Sequence, residues 1–223
     1  MHRYLDRQVG GAPREPVEAR LASSSPCAPF ASVVGGASSG LATPGWLCID
    51  TARESWLNAL AGDGLQAKLL AAHEYAHVWQ AEHGCYFDEG EHTHQWLFEG
   101  VATHLSWRAL TKLGGEPEAS VRENLRFYRA DRPGLSPLRA HEREGGDDVL
   151  YAKWHLAVRR LVARLASGDR SLLRFCRAVA RDTPWRGAFA ESFGIGVEAF
   201  YAAFEPRQSQ RSAPSRTSAG SHL

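Results

Sequence analysis

Two histidines four positions apart, with a glutamate directly after the first, stand in the stretch LLAAHEYAHVWQAEHG at residues 69–84. On an α-helix, residues four apart lie one turn from each other on the same face, so His73 and His77 can reach a single Zn²⁺. Glu74 lies about 100° round the helix from His73. It is poorly placed to replace a histidine ligand, but it can reach a water on the metal and take its proton. The spacing predicts a zinc site with its own base.

A catalytic zinc needs a third protein ligand, commonly a carboxylate, and leaves its fourth position to water. Glu99, in the stretch HQWLFEGVATHL, follows His77 after 21 intervening residues. That length lets the first helix end and a second helix present Glu99 to the metal. Gly100 allows a neighbouring helix to approach closely, and the second helix has an apolar face formed by Trp96, Leu97, Val101 and Leu105. Glu99 is therefore the predicted third ligand.

Other interpretations compete with this one. A motif as short as HExxH also arises by chance, and its histidines are then solvated or hydrogen-bonded residues of an ordinary helix. The following stretch, HGCYFDEGEHTH, adds His83, Cys85, His92 and His94. Their spacing fits no tetrahedral zinc knuckle, so a solvated acidic loop is favoured there over a second metal site.

The pair HEYAHVWQ and WLFEGVAT resembles the gluzincin metallopeptidases, the HExxH…E zinc hydrolases that include thermolysin and the aminopeptidase N family. The resemblance implies a zincin-like fold, with His73, His77 and Glu99 as zinc ligands and Glu74 as general base. The terminal stretch PWRGAFAESFGIGVEAFYAAF also looks like the closing helices of small gluzincin-like bacterial proteins, of the peptidase MA-like kind.

A further segment, DDVLYAKWHL, is similar to the aminopeptidase helix whose tyrosine stabilises the oxyanion, and this makes Tyr151 the matching residue. A phenol is a neutral donor at pH 7 that can meet charge on a substrate carbonyl oxygen. The alternative is a buried helix tyrosine bonded to any nearby carbonyl. His155, one turn further on, is a second candidate donor, although a packed polar residue is the favoured interpretation.

The chain departs from these families at two points. Aminopeptidases carry a Gly-x-Met-Glu-Asn segment whose glutamate holds the substrate amine, but VVGGASSGLATPGWLCID has no acid before Asp50. An aminopeptidase is thus disfavoured, although GWLCID could still be an edge strand that pairs with an extended peptide. In thermolysin-like enzymes an aspartate orients the first histidine, and Thr103 stands here in its place. Its hydroxyl can accept a hydrogen bond from an imidazole N–H.

The predicted fold is α+β: a mostly helical single domain with a small antiparallel N-terminal sheet. FASVVGG and GWLCIDT have the β-branched and aromatic residues of short strands. Residues 1–28 and 206–223 lack periodicity and are predicted to be disordered, which leaves 29–205 as the domain.

The first helix is predicted over 65–82 from the stripe Leu65, Leu69, Ala72, Ala76 and Trp79, with Gly84 as its stop. Further helices are predicted at about 93–113, 117–130, 147–167, 169–181, 184–193 and 196–205. Phe189, Phe193, Phe200 and Phe204 are predicted core residues.

The formal net charge of +1 provides no field to attract nucleic acid or anionic lipid, and neither is a predicted partner. The N-terminal stretch has no apolar signal region, and no apolar run approaches the roughly 20 residues of a membrane span. The four cysteines have no CxxC spacing, which favours a reduced, cytoplasmic protein without a disulfide framework.

These observations predict a zinc metallohydrolase that cleaves an amide bond, with a peptide as substrate. One alternative is a non-proteolytic zinc amidohydrolase or tailoring enzyme acting on a small metabolite. Another is a catalytically inactive gluzincin-like binding protein.

Overall fold

The computed structural model describes residues 1–13, 17–22, 40–43, 46–50, 64–85, 94–112, 119, 136–143 and 148–205. These residues are mostly helical, as predicted. After a short N-terminal helix, α1 (His2–Tyr4), the α-helices of the described residues are α2 (Leu65–Glu82), α3 (Gln95–Lys112), α4 (Asp148–Val162), α5 (Arg170–Val179), α6 (Trp185–Phe193) and α7 (Val197–Phe204). The helix predicted at 117–130 and the tail from 206 lie outside the described residues, apart from the helical residue 119.

Three strands form a small mixed sheet in the described residues: β1 (Glu18–Ala22), β2 (Gly40–Thr43) and β3 (Trp46–Asp50). The order is β1-β3-β2; β1 is parallel to β3 and β2 is antiparallel to it. A purely antiparallel sheet is therefore the wrong description. The prediction that GWLCID forms an edge is also wrong, because β3 pairs on both sides. The predicted strand FASVVGG lies outside the described residues.

Helix α2 lies between two apolar surfaces. The predicted stripe is buried along its whole length, with Ala76 and Trp79 completely inaccessible to solvent. On another face, Ala67 and Val78 pack against Leu47 and Ile49 of β3. Gly84 ends the helix at a φ of 76°, where a side chain would collide with Ala180. Packing on several faces holds the HExxH segment in a fixed orientation.

Helix α3 packs between α2 and α4. Its predicted apolar face is confirmed, since Trp96, Leu97, Val101 and Leu105 are all buried. Gly100 allows α4 to approach closely: a Cβ there would lie 3.0 Å from the Trp154 carbonyl oxygen. The predicted aromatic stripe of α6 and α7 is also in the core, where Phe189, Phe193 and Phe200 are buried and Phe204 packs against them.

Residues 1–13 pack into the main core, and for this part of the chain the predicted disorder over residues 1–28 is wrong. Leu5 and Val9 are completely buried among residues of the helical body. The Tyr4 hydroxyl donates a hydrogen bond to Asp169, which also accepts one from His104 of α3. The sequence signal is weak because only a few apolar residues of this short, charged segment carry the packing.

The cysteine prediction is wrong as well. Cys85, just after α2, and Cys176, in α5, form a disulfide across a sequence separation of 91 residues. Cys48 in β3 is also disulfide-bonded. Disulfides form and persist mainly in oxidising compartments, so the cysteines no longer support the prediction of a cytoplasmic protein. In the described part of the chain, no helix combines the length and apolar character that crossing a membrane requires.

Candidate metal centre

The site lies where α2 and α3 pack together. His73 and His77 come from successive turns of α2, and Glu99 comes from the first half of α3. Both histidines are largely shielded from solvent, and Glu99 is buried. The structure therefore brings the three predicted ligands into one cluster, and in the described residues this is the one group of three or more His, Cys, Asp or Glu with metal-ligand geometry.

The ligand atoms are close enough to share one ion. His73 Nε2 lies 2.9 Å from His77 Nε2 and 3.0 Å from Glu99 Oε2, and His77 Nε2 lies 3.3 Å from the same oxygen. A point at zinc-ligand distance, about 2.0 to 2.1 Å from all three atoms, exists ~1 Å from their plane. Tetrahedral ligands at that distance are separated by about 3.3 Å, so the cluster needs little expansion to hold zinc.

Hydrogen bonds on the far side of each imidazole select the tautomer that suits a metal. Thr103 donates its hydroxyl proton to the Glu99 carbonyl, which leaves its oxygen to accept from His73 Nδ1 at 3.4 Å. Gln80 Oε1 accepts from His77 Nδ1 at 2.7 Å. With a proton on each Nδ1, the lone pair of each neutral ring is on Nε2, which faces the cluster. The prediction that the Thr103 hydroxyl accepts a hydrogen bond from an imidazole N–H agrees with this contact.

Glu99 is an ionised carboxylate with one oxygen directed at the histidines. Burial opposes its ionisation, but His77 outweighs burial and lowers the pKa of Glu99 well below its usual range. Conversely, burial disfavours the protonated form of His77, while the Glu99 carboxylate raises the His77 pKa to about 9. The Gln95 amide donates to Glu99 Oε1 at 3.2 Å, which leaves Oε2 for the shared point.

Glu74 is 5% exposed beside the two histidines. Burial raises its pKa, and the negative charge of Glu99 acts in the same direction, whereas His77 and His73 oppose the shift. A carboxylate with a raised pKa is a better proton acceptor than an ordinary one. The arrangement can therefore pair a bound cation with a nearby base.

Tyr151 and His155 lie one turn apart on α4 but have different surroundings. The Tyr151 ring is partly buried, and its centroid lies 5.8 Å from that of His73. His155 is 2% exposed, and its ring lies 5.4 Å from that of His104 in the interior. Burial lowers the pKa of His155 well below its usual range and keeps the ring neutral. Tyr151 therefore adjoins the cluster, and His155 is a packed polar residue.

The structure forms no second metal cluster among the described residues around the loop after α2. His83 bonds to the Gly11 carbonyl, and Cys85 is in the disulfide. His94 is completely buried next to Phe175 and Trp185, so it does not belong to a solvated loop. His92 and the acidic residues between 86 and 93 lie outside the described residues.

Sequence reasoning missed Gln80 and Gln95. Each is an amide within one turn of a ligand, at His77 plus three and Glu99 minus four respectively. These offsets could have indicated both contacts, because residues three or four apart are neighbours on a helix. Their bonds also depend on side-chain orientation, which spacing alone does not give.

Comparison with known proteins identifies no relative: no protein-family model, curated protein or solved structure matches the chain. The resemblance to gluzincins therefore depends on the motifs and on the geometry of the cluster.

Proposed function

We propose that the protein is a zinc-dependent hydrolase of the gluzincin type that cleaves amide bonds, with peptides as its substrate class. The convergence of ligand atoms from His73, His77 and Glu99 is the observation that carries the proposal. Thr103 and Gln80 support it, because their hydrogen bonds to Nδ1 turn both Nε2 atoms towards the cluster. The set of two imidazoles and one carboxylate is typical of catalytic zinc, whose fourth position stays open.

Zinc supplies Lewis acidity at such a site, polarising a carbonyl and lowering the pKa of water to roughly 7. Glu74 is the base in this proposal. Its carboxylate removes a proton from the attacking water as the new C–O bond forms. It then delivers that proton to the amide nitrogen as the C–N bond breaks, which yields a carboxylic acid and an amine. The buried position and raised pKa of Glu74 suit both transfers.

Tyr151 is the proposed oxyanion donor. Its phenol O–H donates a hydrogen bond to the carbonyl oxygen as negative charge develops there. The ring contact with His73 supports this role, whereas the interior position of His155 argues against the histidine. Removing one such donor typically slows turnover by about 10²- to 10³-fold.

We further propose a zincin-like single domain that includes the N-terminal segment. Leu5 and Val9 share the core of α3, α4 and α5, which supports one folding unit. β2 lies at an edge of the described sheet and packs on α2, so it is the strand that we assign to pair with an extended peptide. The lack of an acid before Asp50 in the preceding stretch favours substrates that need no free amino terminus.

The test is hydrolysis of matched peptides with free and acetylated amino termini by zinc-loaded protein. We expect cleavage of both, with kcat reduced at least about 100-fold in Glu74→Gln. Glu82→Gln, on the same helix eight positions further on, is the matched control and should retain wild-type turnover. Full activity of Glu74→Gln would contradict the mechanism. Cleavage of small amides alone would exclude a peptidase, and zinc binding without hydrolysis would favour a binding protein.

A further inference from the structure

Gln80 is a buried amide that forms one hydrogen bond to a candidate ligand, His77, and another to the backbone next to Glu99. Its side chain is on α2, three residues after His77, and the residue is 1% exposed. Its Nε2 donates to the Phe98 carbonyl at 2.8 Å, and its Oε1 accepts from His77 Nδ1 at 2.7 Å. Burying an amide without hydrogen-bond partners costs free energy, so the orientation that keeps both bonds is strongly favoured.

The two bonds determine where the proton of His77 lies. A backbone carbonyl can only accept, so the NH₂ group of Gln80 must face Phe98 and its oxygen must face His77. That oxygen also only accepts, and His77 Nδ1 must therefore carry a proton. In the neutral ring the lone pair is then on Nε2, 3.3 Å from Glu99 Oε2 and 2.9 Å from His73 Nε2.

Gln80 also links the helices that carry the ligands. Phe98, whose carbonyl it binds, directly precedes Glu99 on α3. The Phe98 ring stacks on His77, with centroids 4.7 Å apart and planes inclined by 19°. His77 is consequently held at one edge by Gln80 and on one face by Phe98, which fixes both the direction of its ring and its register against Glu99.

We propose that Gln80 is a positioning residue that sets the tautomer and orientation of His77 and thereby the affinity of the site for zinc. This inference rests on the proposed function, since it takes His77 as a zinc ligand. Residues that orient metal-binding histidines typically contribute 10- to 100-fold to metal affinity. The competing role is structural: Gln80 would only hold α2 against the Phe98 carbonyl.

Two substitutions separate these roles. Gln80→Met has a similar shape but removes both the acceptor for His77 and the donor for Phe98. Gln80→Glu keeps an acceptor for His77 Nδ1, and an ionised carboxylate cannot donate to Phe98. Positioning of His77 therefore predicts that the methionine variant loses zinc affinity and the glutamate variant keeps it, whereas a structural role predicts similar losses in both.

The experiment is zinc competition against a chromophoric chelator, with folding checked by circular dichroism. We expect the zinc Kd to rise about 10- to 100-fold in Gln80→Met and to change less than about 3-fold in Gln80→Glu. Ser171→Ala removes a hydrogen bond of another buried side chain, from Ser171 to the Gly168 carbonyl, and should leave the Kd unchanged.

Equal losses in the two Gln80 variants, or none in Gln80→Met, would overturn the inference while the wild-type zinc site stands. A wild-type protein without zinc affinity would overturn the proposed function and this inference together. Nitrogen-15 NMR of zinc-loaded wild type provides a test that needs no substitution at position 80. We expect a protonated Nδ1 on His77, assigned with His77→Ala; a protonated Nε2 would refute the proposed tautomer.

Discussion

Replacing Cys85 and Cys176 together by alanine removes the covalent connection between the end of α2 and α5. The disulfide spans 91 residues of sequence, and closing a loop of that length in the unfolded chain corresponds to about 4.6 kcal/mol at 25 °C in the chain-entropy relation. We expect the free energy of unfolding to fall by about 4 to 5 kcal/mol, a large part of the stability of an ordinary domain.

Equilibrium urea unfolding without reductant, followed by tryptophan fluorescence, measures this loss. The thermal midpoint should fall by about 9 to 18 °C, at roughly 2 to 4 °C per kcal/mol for a chain of this size. Alkylation of unreduced wild type, followed by mass spectrometry, is the control and should label neither Cys85 nor Cys176. A loss below about 1 kcal/mol, or rapid alkylation of either thiol, would refute the reasoning.

Three further substitutions test buried contacts of the helical body. Asp169→Asn should lower the free energy of unfolding by about 2 kcal/mol at pH 7. Burial opposes ionisation of Asp169, but the hydrogen bond from His104 outweighs it and lowers the pKa to about 2. This contribution is complete above about pH 4 and disappears as pH falls through 2, so urea titrations should show the two proteins converging over that interval. Gly100→Ala should lower stability by about 1 kcal/mol, because the contact with Trp154 outweighs the helix preference of alanine. Leu5→Ala should cost about 2 to 5 kcal/mol in thermal or urea unfolding, because Leu5 is fully buried.

Gly100→Ala and Leu5→Ala each have a matched control variant. Gly187→Ala places a methyl group in an exposed helical position with ordinary van der Waals contact and should be neutral or stabilising; stabilisation by Gly100→Ala would contradict the close approach of α3 and α4. Arg3→Ala alters an exposed neighbour of Leu5 and should leave the free energy of unfolding nearly unchanged. An equally small effect of Leu5→Ala would contradict the packing of the N-terminal segment. If the difference in free energy of unfolding between Asp169→Asn and wild type increased towards pH 2, the predicted pH dependence would be contradicted.

Much of the helical body follows from local pattern. The stripe from Leu65 to Trp79 predicts α2 at its observed bounds, because a helix that buries one face continuously must repeat apolar residues on that face every three or four positions. The same spacing predicts that His73 and His77 share a face. Glu99 required a further step, the return of a second helix, and the apolar face of α3 made that step predictable.

The features that were missed depend on contacts between distant segments. Cys85 and Cys176 have no informative spacing, and only the packing of α5 against the region after α2 brings their Cα atoms to 4.6 Å. The role of Leu5 depends on the cavity that the other helices leave for it. In the sequence, Gln80 is an ordinary polar residue near the end of a helix. Its orientation depends on the hydrogen bond to the Phe98 carbonyl of another helix, which the sequence does not reveal.

Zinc content per chain is the most direct test of the central claim. Elemental analysis after zinc loading and exhaustive dialysis should give about one zinc per chain for wild type and for Glu74→Gln, since Glu74 is not a ligand in this account. His77→Ala and Glu99→Ala should each retain less than about a tenth of that amount while remaining folded. A folded wild-type protein without zinc, or undiminished zinc in either ligand variant, would contradict the assignment of His73, His77 and Glu99 as a zinc centre.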